Sequence, residues 1–415
     1  MTGMGTTHHA TGRRVVVTGI GAVSSIGTGA AEFTSGLRAG RSGVRPISRF
    51  DTTGFASGNG CEVPDFEPRR WLRTLDPDRL GRATQFATAA SSMAVADAGL
   101  TAEQLRAVRG MVSIGTTDGE SADLDSLVET EISDGFGATD RLVVERVSPV
   151  RLATATAQEL GLSNVEATTF GTACSAGNYA VSHGFDAVRS GESEFALCGG
   201  TDAMCRKTFT AFYRLGTIAP EHCQPFDADR KGILTGEGAG VLLLESLDSA
   251  LRRGAEIYAE VLGSALNCDA HHPVAPNQAS IARCIRKALN SSGVKPSDVD
   301  LISAHGTGTK ANDITEIGAI SEVYGDRPPR TVSLKSMLGH TMGAASALGV
   351  AACALAIKHG FIPPTINHVR TDPECPIDCV PNKSVATELN VVQNNGLALG
   401  GNNAIVLLGR YGATR

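Results

Sequence analysis

"TTFGTACSAGNYA" (residues 168–180) sets one cysteine, Cys174, among threonines, glycines and alanines, where one kind of periodicity gives way to another. Upstream, "SNVEATTF" (163–170) is β-branched and aromatic and reads as a short strand. Downstream, Ala176, Ala180, Phe185 and Val188 recur at helical intervals, and Ser190-Gly191 ends the run. Cys174 therefore stands at the mouth of a helix, where unpaired N–H groups and the positive end of the helix dipole favour a thiolate. Two readings stay open here. One is a nucleophile whose small neighbours admit a substrate carbonyl; the other is a buried structural cysteine.

The strand–turn–helix rhythm extends along the chain in both directions. In the first half, strands are expected in "RRVVVTGIGAVSSIGTG" (13–29), "RGMVSIGTT" (109–117), "EFALCGGTDAM" (194–204) and from Val241 to Glu245. An alanine-rich helix is expected over 83–100, and the charged stretch 118–150 is helical in parts. The second half repeats the pattern. It has strand 257–266, helix 278–293, strand 299–309, a helix from Asp313, strand "RTVSLKS" (330–336) and the apolar helix 343–360. Closing strands fall near 396–399 and 403–410. Alternating elements that are apolar on both sides define an α/β fold, with helices packed on buried, largely parallel sheets. No linker interrupts the chain, so it reads as one duplicated unit with halves 13–254 and 255–410.

Bulk composition narrows the function. Over 415 residues, 42% hydrophobic and 19% charged content describe an ordinary globular chain with a large core. A net charge of −6 points to neither nucleic acid nor an anionic membrane. Ten cysteines include no C-x-x-C pair, and "CPIDC" (Cys375, Cys379) lacks a second cluster for zinc, so a reduced cytoplasmic setting and no metal are expected. The N-terminal apolar run is broken by glycine too early for a signal peptide or a membrane span, and His8-His9 is too short for a metal tract. Gly19 and Gly21 form a G-x-G, but Ser24 stands where the third glycine of a dinucleotide fingerprint belongs.

A cysteine that attacks a carbonyl needs proton handling, an oxyanion hole and a means of stabilising an enolate. Of ten histidines, His305 in "ISAHGTGT" and His340 in "KSMLGHTMG" both close apolar strands in glycine turns, where open α/β sheets gather their sites. Lys335 is read at the end of the second of these strands, where a cation holds a carboxylate or biases a histidine. "GLALGGNN" (396–403) supplies a glycine-rich turn whose N–H groups suit an oxyanion hole.

In order and separation, "GTACSAG", "AHGTGTKAND", "KSMLGHTMGAA" and "GLALGGNN" resemble the Cys-His-His condensing enzymes, the 3-oxoacyl-[acyl-carrier-protein] synthase II and polyketide ketosynthase family. "QPFDADRKGILTGEGAGVLLLE" (224–245) and "PPTIN" (363–367) are similar too, so the resemblance runs from about residue 13 to 410. It implies a thiolase-like fold, a duplicated five-layer αβαβα sandwich, which is usually dimeric, and a structural rather than nucleotide-binding role for residues 15–29. It further implies decarboxylative Claisen condensation of an acyl thioester with malonyl-carrier protein, with no metal or organic cofactor. Cys174 would carry the acyl group, and His305 and His340 would hold the malonyl thioester carbonyl. Lys335 would tune the histidines, and the N–H groups of Cys174 and Leu399 would form the oxyanion hole. Thr307, Thr309, Leu399, Gly400 and Gly401 would contact substrate. Partners implied are an acidic acyl carrier protein and a second subunit, identical or a chain-length factor. Candidate docking cations are Arg69, Arg70, Arg73, Arg79 and Arg82, and Arg206, Lys207 and Arg214.

The chain departs from that pattern at the gate and around the lysine. Leu397 and Leu399 stand where the family places phenylalanines, Gly349 where it has a glutamate partner for the lysine, and Val274 and Asn402 where it has threonines. These departures lean toward a specialised polyketide or polyene enzyme over housekeeping elongation. Alternatives are an acyltransferase or decarboxylase on the same fold and a non-condensing chain-length factor, the latter opposed by Cys174. A coenzyme A thiolase is opposed by the lack of a second cysteine in "GLALGGNN".

Overall fold

Val15–Ser24 (β1) is ten consecutive buried residues, a run that suits a strand covered on both faces. In the computed structural model, which describes residues 12–413, β1 lies near the middle of a long sheet. Residues 1–11, with His8-His9, lie outside the described residues. Further strands of the first half are β2 (Gly110–Gly115), β3 (Val165–Phe170), β4 (Phe195–Asp202) and β5 (Gly238–Ser246). Those of the second are β6 (Ala259–Cys268), β7 (Leu301–Ser303), β8 (Arg330–Val332), β9 (Val391–Leu397) and β10 (Asn402–Gly409). The spatial order is β8-β7-β9-β10-β6-β1-β5-β4-β2-β3. Read outward from the centre, β1-β5-β4-β2-β3 and β6-β10-β9-β7-β8 follow the same chain-order pattern. Three residue pairs, Val15–Val261, Val16–Glu260 and Val17–Ala259, join the two.

Helices complete the layers. The principal ones are α1 (Arg82–Asp97), α2 (Ser121–Asp134), α3 (Arg151–Leu160), α4 (Ala176–Ser190), α5 (Arg206–Arg214), α6 (Gln278–Ser292), α7 (Lys310–Tyr324), α8 (Lys335–Leu338) and α9 (Gly343–His359). α4 and α9 pack on each other and on strands of both halves, so they form the middle layer. α1 and α3 cover the outside of one half, α6 and α7 the outside of the other. α9 is buried all round, as its uniform alanine-rich sequence requires of a central helix. This is the five-layer sandwich.

Several expectations change on this scaffold. The sheet is mixed: β2–β3, β2–β4, β7–β8 and β7–β9 are parallel, but β1–β5, β4–β5, β1–β6, β6–β10 and β9–β10 are antiparallel. Strands covered on both faces are apolar throughout whichever way they run, so hydrophobicity did not reveal their sense. The expected strand 330–336 stops at Val332; Lys335 opens the short helix α8 and is buried, rather than ending a strand. Strand 299–309 shortens to Leu301–Ser303, so His305 stands two residues past β7 in a turn. The G-x-G of β1 is a packing device. A Cβ at Gly19 or Gly21 would lie 2.1 Å from Ala94 O or 1.8 Å from Ala90 O of α1. Among the described residues no helix is long and apolar enough to cross a membrane.

Candidate active site

Cys174 sits in a single 3₁₀ turn, Ala173–Ser175, that joins β3 to α4. Ala173 holds φ at +52°, a left-handed conformation that costs a non-glycine residue roughly 1 kcal/mol. The Sγ of Cys174 and one ring nitrogen each of His305 and His340 all lie within 4.8 Å of one another. The thiol is 3% exposed, and burial pushes it up to about 12, only partly opposed by Lys335 and the Leu399 N–H. Burial thus works against the thiolate that the helix mouth was expected to favour.

The two imidazoles are fixed by different means. His340 follows α8, and its backbone pairs with "ILTG" (233–236): its N–H donates to Leu234 O at 2.6 Å and its C=O accepts from Gly236 N–H at 2.8 Å. Met342, at φ +52°, turns its N–H back onto His340 Nδ1 at 3.1 Å. His305 and Gly306 donate their N–H groups to the two carboxylate oxygens of Glu316, each at 2.8 Å. Lys335 Nζ lies 3.4 Å from His305 Nδ1 and donates to the His305 carbonyl. Both Nδ1 atoms thus face donors, which leaves the ring proton of the neutral form on Nε2. Burial first, then the Lys335 charge, holds both rings well below the usual 6.5. Burial also lowers Lys335, with Glu316 the strongest opposing influence.

Cys174, His305 and His340 line an open-mouthed cavity of about 130 Å³, together with Thr307, Thr309, Val274 and Leu397–Leu399. Thr307 and Thr309 hydroxyls lie 2.9 Å apart, and Thr309 also caps α7. Gly400 and Gly401 are not on the wall; their N–H groups close the loop onto Pro273 O (2.8 Å) and Ala398 O (3.0 Å). The cations expected to dock a partner divide. Arg69 pairs with Asp76 and Asp78, Arg70 with Glu67 and Arg79 with Glu145, all at the surface. Arg73 and Arg214 are exposed. Arg206 stacks over Phe55, its guanidinium 5.2 Å from the ring centre. Lys207 binds Asp118 and the Ser121 hydroxyl, both at 2.8 Å. Arg82 is no docking residue: it is bidentate to the wholly buried Glu237 at 2.6 and 3.0 Å.

Sequence reasoning passed over several groups. Glu316 and Asp313 lie three apart on α7 and turn inward, Asp313 accepting from Phe226 and Gly308 N–H groups and pairing with the buried Arg230. Two acids at helical spacing just after "AHGTGT" were the available signal. The charge of Asp118, its side chain 5% exposed, raises the Cys174 thiol further, as does Asp202, which burial and Asp118 raise to about 7.

The same architecture is found in known proteins. Residues 12–250 match the "Beta-ketoacyl synthase, N-terminal domain" and residues 258–369 the "Beta-ketoacyl synthase, C-terminal domain". The chain belongs to the β-ketoacyl synthase family. It is 37% identical to 3-oxoacyl-[acyl-carrier-protein] synthase 2 of Synechocystis sp. over 96% of this chain and 98% of that one. It is also 37% identical to the tetracenomycin polyketide synthase ketoacyl synthase alpha subunit of Streptomyces glaucescens, over 99% and 100%. Among solved structures, one described as the ishigamide ketosynthase/chain length factor matches with a TM-score of 0.96 and 60% identity, covering 97% of this chain and 100% of that one. This β-ketoacyl synthase is accordingly an acyltransferase of thiolase-like fold.

Proposed function

We propose that this β-ketoacyl synthase extends an acyl chain by decarboxylative condensation with malonyl-carrier protein in a type II polyketide or polyene pathway of the cytoplasm. One observation carries the reading: a buried thiol within 4.8 Å of two neutral imidazoles at the floor of an open cavity. In the first step Cys174 Sγ bonds to the acyl carbon, the carbon–sulfur bond to the carrier's pantetheine breaks, and the thiol proton passes to the departing sulfur. Neither imidazole is set to accept it, because each already carries its proton on Nε2. The N–H groups of Cys174 and Leu399 stabilise the oxyanion. In the second step the Nε2–H groups of His305 and His340 hold the malonyl thioester oxygen. The carbon–carboxylate bond breaks, carbon dioxide leaves, and the enolate carbon bonds to the acyl carbon. Cys174 leaves as thiolate and takes a proton from water.

The nucleophile belongs to residues 13–254, and the histidines and the Leu399 N–H to 255–410, so the proposed duplication builds the site from both halves. The substrates arrive as carrier thioesters, and the step needs no further redox or electrophilic group. The relative described as a type II polyketide synthase acyl-carrier protein in complex with its ketosynthase, 31% identical with a TM-score of 0.87, supports an acyl carrier protein as partner here. Arg69, Arg70, Arg73 and Arg206 are the docking cations we propose for it. Lys207 is bound to Asp118 and is set aside.

A second subunit of chain-length-factor type is supported by the ishigamide relative and by an uncovered apolar face. Ile132 is 80% and Phe136 83% exposed, beside Leu124, Val128 and Val144, and among the described residues β3 leaves one edge unpaired. Intact-mass spectrometry with acyl- and malonyl-carrier proteins, beside a Cys174→Ala control, tests the reading. The expected result is an acyl adduct on Cys174 followed by a carrier-bound product extended by two carbons. An adduct without extension would replace condensation by simple acyl transfer.

A further inference from the structure

Asn394 lies on β9, three residues before Leu397, and is 2% exposed. Its Nδ2 donates to Asn178 Oδ1 at 2.8 Å and to Ser346 O at 3.0 Å. Asn178 is in the first turn of α4, four residues after Cys174, and its own Nδ2 returns to the carbonyls of Asn394 (3.3 Å) and Ala404 (2.9 Å). Its backbone N–H donates to Ser346 Oγ at 3.1 Å. Ser346 is in the first turn of α9, six residues after His340. One buried carboxamide therefore ties together the helix behind the nucleophile, the helix behind a histidine and the strand leading to the gate.

The neighbouring Asn395 points to the other face of β9, where it donates to Glu316 at 2.9 Å, the carboxylate that orients His305. The room for Asn394 comes from Gly349: a Cβ there would lie 2.3 Å from Asn394 Oδ1, and Asn394 cannot yield without releasing Asn178 and Ser346. Gly349, Asn394 and Lys335 also border one small pocket of about 10 Å³.

We propose that Asn394 is a positioning residue. Seated on Gly349, it sets the acyl-bearing Cys174 in register with the enolate held at His305 and His340. The inference rests on the condensing reading above. Losing that register leaves decarboxylation intact, because the histidines keep their own anchors, but the enolate no longer meets the acyl carbon. The test uses Asn394→Ser, Gly349→Ala and the double variant, each co-expressed with its partner subunit. Carbon dioxide release and carrier-bound product are measured together under saturating acyl- and malonyl-carrier proteins.

The wild type is expected to release one carbon dioxide per product. Both single variants are expected to exceed that ratio by about 10–10²-fold, because product kcat falls by that factor, the scale expected of a displacement near 1 Å, while carbon dioxide release holds and KM changes little. In the Asn394→Ser background, Gly349→Ala is expected to do no further harm, because the group it strikes is gone. A ratio of one in Asn394→Ser with unchanged kcat would overturn the proposal, and so would equal damage by Gly349→Ala in both backgrounds. Should Asn394→Ser fail to fold, Gly349→Ala alone decides by the same ratio. A wild type that releases carbon dioxide without product would overturn condensation instead. In that event iodoacetamide alkylation of Cys174, which needs no carrier, carries the same double-variant comparison: non-additive rate changes support the positioning role and additive ones refute it.

Discussion

His340→Ala separates the two half-reactions. In this geometry the acylation of Cys174 draws on the thiol, the Leu399 N–H and the departing pantetheine sulfur. His340 contributes nothing to it, because Met342 N–H occupies Nδ1 and the ring proton already fills Nε2. Decarboxylation, in contrast, develops charge on the thioester oxygen between two Nε2–H donors in a buried site. Removing one preorganised donor from such a site costs about 2.7–4 kcal/mol, a factor of about 10²–10³ in rate. The variant also leaves the Met342 N–H without its acceptor, at about 1–3 kcal/mol of stability, which a chain of this size tolerates. The assay follows acyl transfer to Cys174 by rapid quench and intact mass, and carbon dioxide release from malonyl-carrier protein separately. Acylation is expected within about ten-fold of wild type, a loss of no more than about 1.4 kcal/mol, while carbon dioxide release falls by the full factor. Acylation lost in step with decarboxylation would refute the tautomer assignment, because it would make His340 the base for the thiol.

Three further outcomes follow from the same electrostatics. Burial and Lys335 hold His305 and His340 well below 6.5, so both rings stay neutral as the pH falls from 8 through 6.5; carbon dioxide release should show no inflection near 6.5, and an acid limb centred there would contradict the burial argument. A thiol pushed up to about 12 should alkylate with iodoacetamide at a rate rising about ten-fold per pH unit between 7 and 9; a plateau below pH 8 would reveal a resting thiolate. Arg82→Met strands the wholly buried Glu237 carboxylate, and chemical denaturation should register a loss of about 3–5 kcal/mol; a loss under about 1 kcal/mol would place the pair among exposed ones.

What could be read from the sequence divides along a physical line. Cys174, His305 and His340 were legible because each occupies a short connection next to an apolar run, and chemistry on a rigid scaffold concentrates in such connections. The shared strand order on either side of the β1–β6 pair has a related origin: repeated burial requirements produce repeated hydrophobic patterns. Relations between distant elements were hidden. β1 and β4 are equally apolar, yet β1 has antiparallel neighbours on both sides while β4 pairs parallel to β2 and antiparallel to β5. No one-dimensional pattern distinguishes these cases. Lys335 looked like a strand-end cation because "RTVSLKS" alternates as a strand should, whereas the strand stops at Val332 and the chain forms α8 before His340 pairs with "ILTG". Glu316 looked like the polar face of a helix, and only the folded chain turns it onto two backbone N–H groups 10 and 11 residues upstream. The thiol was misjudged for the same reason. A helix dipole is visible in sequence, but Cys174 is enclosed by separate segments running from Phe212 to Asn403, and that burial raises the thiol.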